Sequence, residues 1–230
     1  MQNFRASLKL TQSLLSLERG YPDPAPPNDK ALVDGLRAGA AVLMVATFED
    51  FVRSMVKEHV GSLRSRTPAV IFGRLPDRIQ VGSVFTSLQR ALDGPEFGPK
   101  LEKVDRLPTI AQAASDVVNG RVSSDAIAST RGNPGPDVVK EILLHCDIED
   151  AFNLISNRFQ KNWKSEVAQH FIRDKLQEIV DRRHRVAHSG RPSGSRSDLN
   201  DALRFLRTLA STLDDEVRIK MNSVYRKAKP

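Results

Sequence analysis

The sequence predicts an all-α protein. In the longer segments apolar residues recur at spacings of three and four, clusters of Gly and Pro separate these segments, and strand-like alternation is brief. The sequence does not alternate between strand and helix patterns, which argues against a parallel sheet. A chain of 230 residues is long enough to bury a proper core. We therefore expect a single all-α domain over residues 1–230.

Two helices are predicted in the first third of the chain. The first covers residues 4–18 and ends where four prolines occur within residues 20–27, because proline cannot continue a helix. The second runs over about residues 31–60, after the capping residues Asn28 and Asp29. Its middle is apolar nearly all round, which indicates a central helix buried on more than one side.

The middle third is interrupted by Gly and Pro but still favours helices, over residues 79–92 and 101–119. A loop over residues 129–136 leads into a short helix with Pro136 near its first turn, where proline is tolerated. Residues 147–150 then begin another helix. In the last third, residues 165–187 are predicted as one helix, with Ala168 and Ile172 on its apolar face. A final helix begins at Ser197 and Asp198.

Charge and cysteine content limit the possible classes of protein. Lysine and arginine number 35 against 28 acidic residues, a net charge of +7, which favours a polyanionic partner. Cys146 is the only cysteine, so an intrachain disulfide is excluded and a buried structural thiol is expected. The longest apolar run, residues 38–48, is too short for a bilayer, which takes roughly 18 apolar residues or more. The start of the chain does not resemble a secretion signal. We therefore expect a cytoplasmic protein with no membrane partner.

The most informative segment is residues 183–190, which read Arg-His-Arg-Val-Ala-His-Ser-Gly at the end of a predicted helix. An arginine can hold a phosphate through its planar fork of donors, and a histidine can transfer protons near neutral pH. On a continuous helix Arg183 and His188 would lie some 140° apart, at roughly 3.6 residues per turn. They can approach one phosphate only if the helix ends or bends near His188, and Ser189 with Gly190 provides such an end.

Other interpretations of these residues remain open. Basic residues in a last helical turn are favoured by the helix dipole regardless of function. His184 and His188 share a helix face and could bind zinc, but a second pair of ligands with familiar spacing is missing. We expect no metal and no cofactor. Glu49 or Asp50 could face a cleft or point to solvent, and Trp163 is expected in the core rather than in a base-stacking platform.

The segment 183–190 resembles the Arg-polar-x3-His motif of the HEPN superfamily (higher eukaryotes and prokaryotes nucleotide-binding domains), with His184 in the polar place usually held by Asn or Asp. Residues 40–51 look like the early core helix of a bacterial subfamily, the RiboL-PSP-HEPN type. Residues 132–136, followed by a helix and then by Asp-Ile-Glu-Asp at 147–150, are similar to the middle segment of that subfamily. The resemblance thus extends over most of residues 31–213, and it implies a helical bundle with extra helices whose core lies at about residues 31–213.

The resemblance implies a function and a set of site residues. Many HEPN domains are metal-independent endoribonucleases of toxin–antitoxin and phage-defence systems, and their motifs face each other across a homodimer. By position, Arg183 and His188 would be the catalytic pair and His184 an auxiliary polar residue. Four further arginines could contact RNA phosphates in the cleft: Arg182, Arg185, Arg191 and Arg196. The resemblance also implies a possible antitoxin or defence-system partner protein. The alternative is a non-catalytic HEPN module that binds RNA, a nucleotide or a protein partner.

Overall fold

The computed structural model describes residues 2–65, 72–94, 101–128, 134–189 and 194–228, and within these ranges it contains helices and no strand. The all-α prediction is confirmed. The α-helices are α1 (Gln2–Glu18), α2 (Pro27–Ser65), α3 (Asp77–Val81), α4 (Ser87–Asp93), α5 (Leu107–Val118), α6 (Ser124–Ile127), α7 (Pro136–His145), α8 (Ala151–Trp163), α9 (Phe171–Ser189) and α10 (Arg196–Ala228). A π-helical turn, Gly82–Thr86, joins α3 to α4, and short 3₁₀ turns cover Phe72–Arg74 and Val104–Arg106.

The predicted helices differ from the observed ones mainly at their starts. α2 begins at Pro27, so Asn28 and Asp29 lie in its first turn instead of capping it. α9 begins at Phe171, six residues later than predicted, and α8 ends at Trp163, just before Lys164 with its φ of 62°. That left-handed conformation cannot continue a helix, and Ala168 is exposed rather than on a buried face. The predicted loop before α7 falls largely on residues outside the described ranges.

Contacts divide the chain into two compact units. The first comprises Met1–Val52, Arg131–Val139 and Phe152–Asp214, and contains α1, α9, α8 except its first residue, and the beginnings of α2, α7 and α10. Its core holds an aromatic cluster of Phe159, Trp163, Phe171 and Phe205, with ring centroids 5.6–6.4 Å apart. Trp163 also carries the guanidinium of Arg204 over its ring, 4.0 Å from the centroid. The expectation that Trp163 serves core packing is confirmed.

The second unit comprises Arg53–Thr130, Lys140–Ala151 and Asp215–Pro230. Its buried side chains include Val56, Ile79, Ile127 and Ile142. Cys146 is fully buried here, and burial raises the pKa of its thiol to about 12. A thiol that stays protonated is a poor nucleophile, so the predicted structural role of Cys146 is confirmed.

Among the described residues, one helical stretch is long and apolar enough to cross a membrane by length and composition. It is the Pro27–Leu63 part of α2, with a mean hydropathy of 1.6 over 18 residues. The sequence-based expectation considered only the length of the apolar run at residues 38–48, whereas the helix extends far beyond that run. The core helix of a soluble protein meets the same criterion. The buried residues Ala40, Met44 and Phe48 recur every fourth position along it, as a core-facing stripe requires.

Candidate functional site

The motif lies in the last two turns of α9. Apolar side chains anchor this helix in the first unit, and Ile172, Leu176 and Ile179 are all nearly inaccessible to solvent. Val186 lies between the motif residues and is also buried, which fixes the rotation of the last turns. The described part of α9 extends to Ser189. Gly190 lies outside the described residues, so the end of the helix at that point stays a prediction.

The motif side chains differ in exposure. Arg183 is partly buried, whereas His184, Arg185 and His188 are exposed. Since α9 is continuous through Ser189, Arg183 and His188 lie roughly 140° apart around its axis. The residues that meet are the two histidines, whose ring centroids are 4.2 Å apart with a 51° angle between the ring planes. This contact follows from their spacing of four along one face of the helix.

Arg182 immediately precedes the motif, and its side chain is buried rather than exposed to a ligand. Its side chain is only 9% exposed, and its Nη2 donates a hydrogen bond to Glu178 Oε1 at 2.7 Å. The guanidinium packs against the backbone of Gly194, where a Cβ would come within 2.6 Å of Nη1. Gly194 has a φ of 143°, a conformation that favours glycine. Arg182 thereby connects α9 to the segment that leads into α10.

Arg196, the first residue of α10, binds a buried carboxylate. Its Nε donates to Glu18 Oε2 at 2.7 Å, and its Nη2 donates to the carbonyl of Tyr21 at 2.7 Å. Glu18 is fully buried, and its Oε1 accepts a hydrogen bond from Nε of Arg37 at 2.8 Å. Asp23 pairs with the same Arg37 at 3.0 Å. Burial alone would raise the pKa of Glu18, but hydrogen bonds from the two arginines outweigh it and lower the pKa.

The start of α10 carries a capping box. The hydroxyl of Ser195 accepts the N–H of Asp198 at 3.2 Å, while the Asp198 carboxylate accepts the N–H of Ser195 at 2.8 Å. The hydrogen bonds from Ser195 lower the pKa of Asp198, with Arg182 and Lys175 adding a smaller electrostatic contribution. The helix therefore begins one residue earlier than the predicted Ser197, with Ser195 as its cap.

The four arginines proposed as phosphate contacts thus fall into different classes. Arg182 and Arg196 are engaged with Glu178 and Glu18 inside the first unit. Arg185 is exposed on the motif itself, and Arg191 lies outside the described residues. Glu18 was not predicted as part of this network, because it stands 178 positions from Arg196. The only local feature of Glu18 in the sequence is that it is an acidic residue at the end of an amphipathic helix.

The remaining candidate residues are placed as follows. Glu49 is half-buried on α2 and Asp50 is exposed, so Asp50 is the one that points to solvent. Among the described residues, no group of three or more His, Cys, Asp or Glu side chains is placed to hold a metal ion. A zinc site built on His184 and His188 would need a third ligand, and the described part of the chain does not supply it.

The helical fold and the Arg-x4-His motif at the end of a helix define a HEPN-type domain. The model of one family, RiboL-PSP-HEPN, matches residues 5–218, which is nearly the whole chain. The chain therefore belongs to the RiboL-PSP-HEPN family, and it is a module of the ribonuclease-like or nucleotide-binding type. No curated protein and no solved structure matches it.

Proposed function

We propose that the chain is a metal-independent endoribonuclease with Arg183 and His188 as its catalytic residues. The observation that carries the proposal is the exposed imidazole of His188 in the last turn of α9. An imidazole in that place can reach a ribose hydroxyl on a bound strand. Membership of a HEPN family is consistent with this chemistry.

In the proposed reaction the imidazole of His188 takes the proton of a ribose 2′-hydroxyl. The 2′-oxygen attacks the adjacent phosphorus, the bond from phosphorus to the 5′-oxygen breaks, and the 5′-oxygen takes up a proton. The products are a 2′,3′-cyclic phosphate and a free 5′-hydroxyl. Arg183 stabilises the negative charge that builds up on the phosphoryl oxygens in the transition state. His184 acts as a positioning residue, since its ring contacts the ring of His188.

The angle between the two catalytic residues supports a site shared by two copies of the chain. Arg183 and His188 diverge by roughly 140° around α9, so one helix does not present both to one phosphate from a single face. A homodimer that brings two motifs together supplies the arginine of one copy and the histidine of the other. Mixing Arg183→Ala with His188→Ala protomers tests this arrangement. We expect about a quarter of the wild-type activity, because half the dimers are mixed and each has one intact site.

Expression in a bacterial host tests the cellular role. We expect the wild-type chain to arrest growth and fragment RNA, as a toxin or defence effector acting in the cytoplasm would. His188→Ala should do neither. His170→Ala serves as the matched control, because His170 is an exposed histidine just before α9 and outside the motif. An antitoxin or other defence partner, if one restrains the protein, would suppress the arrest when co-expressed.

The competing function is a non-catalytic module that binds RNA, a nucleotide or a protein partner through the same surface. The family match covers modules of this kind as well as ribonucleases. In that case the purified protein cleaves RNA under no condition, and Arg183→Ala changes only binding. Cleavage that EDTA abolishes would instead contradict the metal-independent mechanism.

A further inference from the structure

A small basic cavity lies between α1 and α10 in the first unit, and none of the residues that line it belongs to the motif. It has a volume of about 210 Å³ and is lined by Gln12, Leu15, Ser16, Arg19, Asn200, Leu203, Arg204 and Arg207. Leu15 and Leu203 are buried and form its apolar floor. The other lining residues are polar, and three of them are arginines. None of these eight residues is acidic.

Two of the three arginines are held in place by neighbouring groups. Nη2 of Arg19 donates to Oδ1 of Asn200 at 2.9 Å, and the amide nitrogen of Asn200 donates to the carbonyl of Arg196 at 2.8 Å. The guanidinium of Arg204 stacks on the ring of Trp163 and donates to its carbonyl at 2.7 Å. These bonds orient two positive charges before any ligand arrives, which reduces the entropy lost on binding.

The third arginine brings a charge that the described residues do not balance. Within those ranges the structure records no hydrogen bond or ion pair for Arg207. Glu18 is adjacent to Arg19 in sequence, but its carboxylate is buried and bound to Arg37 and Arg196. Three guanidinium groups around one small cavity repel each other, so an anion that binds there relieves this repulsion.

We propose that this cavity binds a phosphate group. Guanidinium groups match the oxygens of a phosphate through paired N–H donors, and Ser16 and Gln12 add neutral donors at the rim. The phosphate can come from the backbone of bound RNA or from a free phosphate ion. The RNA source rests on the proposed function, whereas the phosphate site itself does not.

The position of the cavity on α10 fits the RNA source. Gly194 packs on Arg182 of α9, and α10 begins two residues later. Asn200 and Arg207 lie about 6 and about 17 Å along α10 from Arg196, at a rise of 1.5 Å per residue. The cavity therefore begins about one helical turn beyond the segment that follows the motif. An RNA strand that extended from the motif along α10 would bring a phosphate to the cavity.

The first arm of the test measures thermal unfolding of the full chain in inorganic phosphate and in chloride at equal ionic strength. We expect phosphate to raise the melting temperature of the wild type by about 2–4 °C at roughly five times its Kd. Arg207→Gln should lose this rise. Arg5→Gln should keep it, because Arg5 is an exposed arginine near the start of α1 that does not line the cavity. In chloride, Arg207→Gln should be at least as stable as the wild type, since it removes a repelling charge.

The second arm measures binding of a single-stranded RNA to His188→Ala, which lacks the proposed base, over a series of salt concentrations. Adding Arg207→Gln should reduce the slope of log K against log salt by about 0.7–1, the value of one phosphate contact. Adding Arg5→Gln should leave the slope unchanged. If Arg207→Gln loses the phosphate-induced rise in melting temperature but keeps the salt slope for RNA binding, the ligand is free phosphate. If it reduces the salt slope but keeps the rise in melting temperature, the ligand is the RNA backbone.

If Arg207→Gln behaves like Arg5→Gln in both arms, the phosphate site is refuted. That result leaves the ribonuclease proposal intact, because cleavage is measured separately through His188. Conversely, a protein that never cleaves RNA but loses the phosphate-induced rise in Arg207→Gln refutes the ribonuclease and keeps the site. Arg19→Gln repeats the first arm at a second position, where we expect the same loss.

Discussion

The substitution Glu18→Gln should destabilise the first unit strongly. The Glu18 side chain is fully buried, and Arg37 and Arg196 both donate to its carboxylate. A glutamine keeps the shape but leaves two guanidiniums facing a neutral amide. Removing one partner of a buried ion pair costs about 3–5 kcal/mol, and we expect the lower end because Asp23 still pairs with Arg37. Urea denaturation at pH 7 measures the loss, with Glu166→Gln, an exposed glutamate, as the control.

The loss of stability caused by Glu18→Gln should depend on pH in a defined direction. The hydrogen bonds from the arginines lower the pKa of Glu18 in the folded protein. A lowered pKa means that the stabilisation is complete above the unfolded value, roughly 4.3, and is lost as the pH falls through the folded value. The stability difference between the wild type and Glu18→Gln should be constant from pH 5 to 7 and shrink below about pH 4. A loss below about 1 kcal/mol at pH 7, or a difference that grows in acid, would refute the role assigned to Glu18.

Three further predictions concern the start of α10 and the buried cysteine. Gly194→Ala should cost about 1–3 kcal/mol in urea denaturation, since φ is 143° and the new Cβ would collide with Arg182; an unchanged midpoint would contradict this. Ser195→Ala should cost about 1 kcal/mol by removing half of the capping box, and Ser197→Ala, just inside the same helix, should cost much less. Cys146 should resist iodoacetamide at pH 8 in the folded protein and react after unfolding, because its pKa is about 12; rapid labelling of the native protein, seen by mass spectrometry, would refute its burial.

Helical periodicity was sufficient to predict the fold class and most of the helices. It was misleading before α9, where Ala168 and Ile172 are spaced like one helix face although Ala168 is exposed in a turn. The left-handed conformation of Lys164, the residue after α8, is a backbone feature, and lysine has no special preference for that conformation. The four-residue helix α6 was not predicted, because so short a segment shows no periodicity.

The surroundings of the motif were predicted in part. The place of His188 in the last turn of α9 could be inferred because Ser189 and Gly190 are local signals. The bonding of Arg182 and Arg196 could not, because their partners are set by tertiary structure. Arg196 meets Glu18 from the other end of the chain, and Arg182 packs on a glycine twelve residues later. A basic stretch in the sequence therefore indicates positive charge but not which arginines remain available to RNA.

The most direct test of the central claim is the rate at which the purified chain cleaves single-stranded RNA in the presence of EDTA. We expect full activity for the wild type and for His170→Ala, with products ending in a 2′,3′-cyclic phosphate. His188→Ala should lose about 10²–10⁴-fold and Arg183→Ala about 10²–10³-fold, with circular dichroism showing the fold retained. Cleavage by His188→Ala at the wild-type rate, or cleavage that requires a divalent metal ion, would contradict the account.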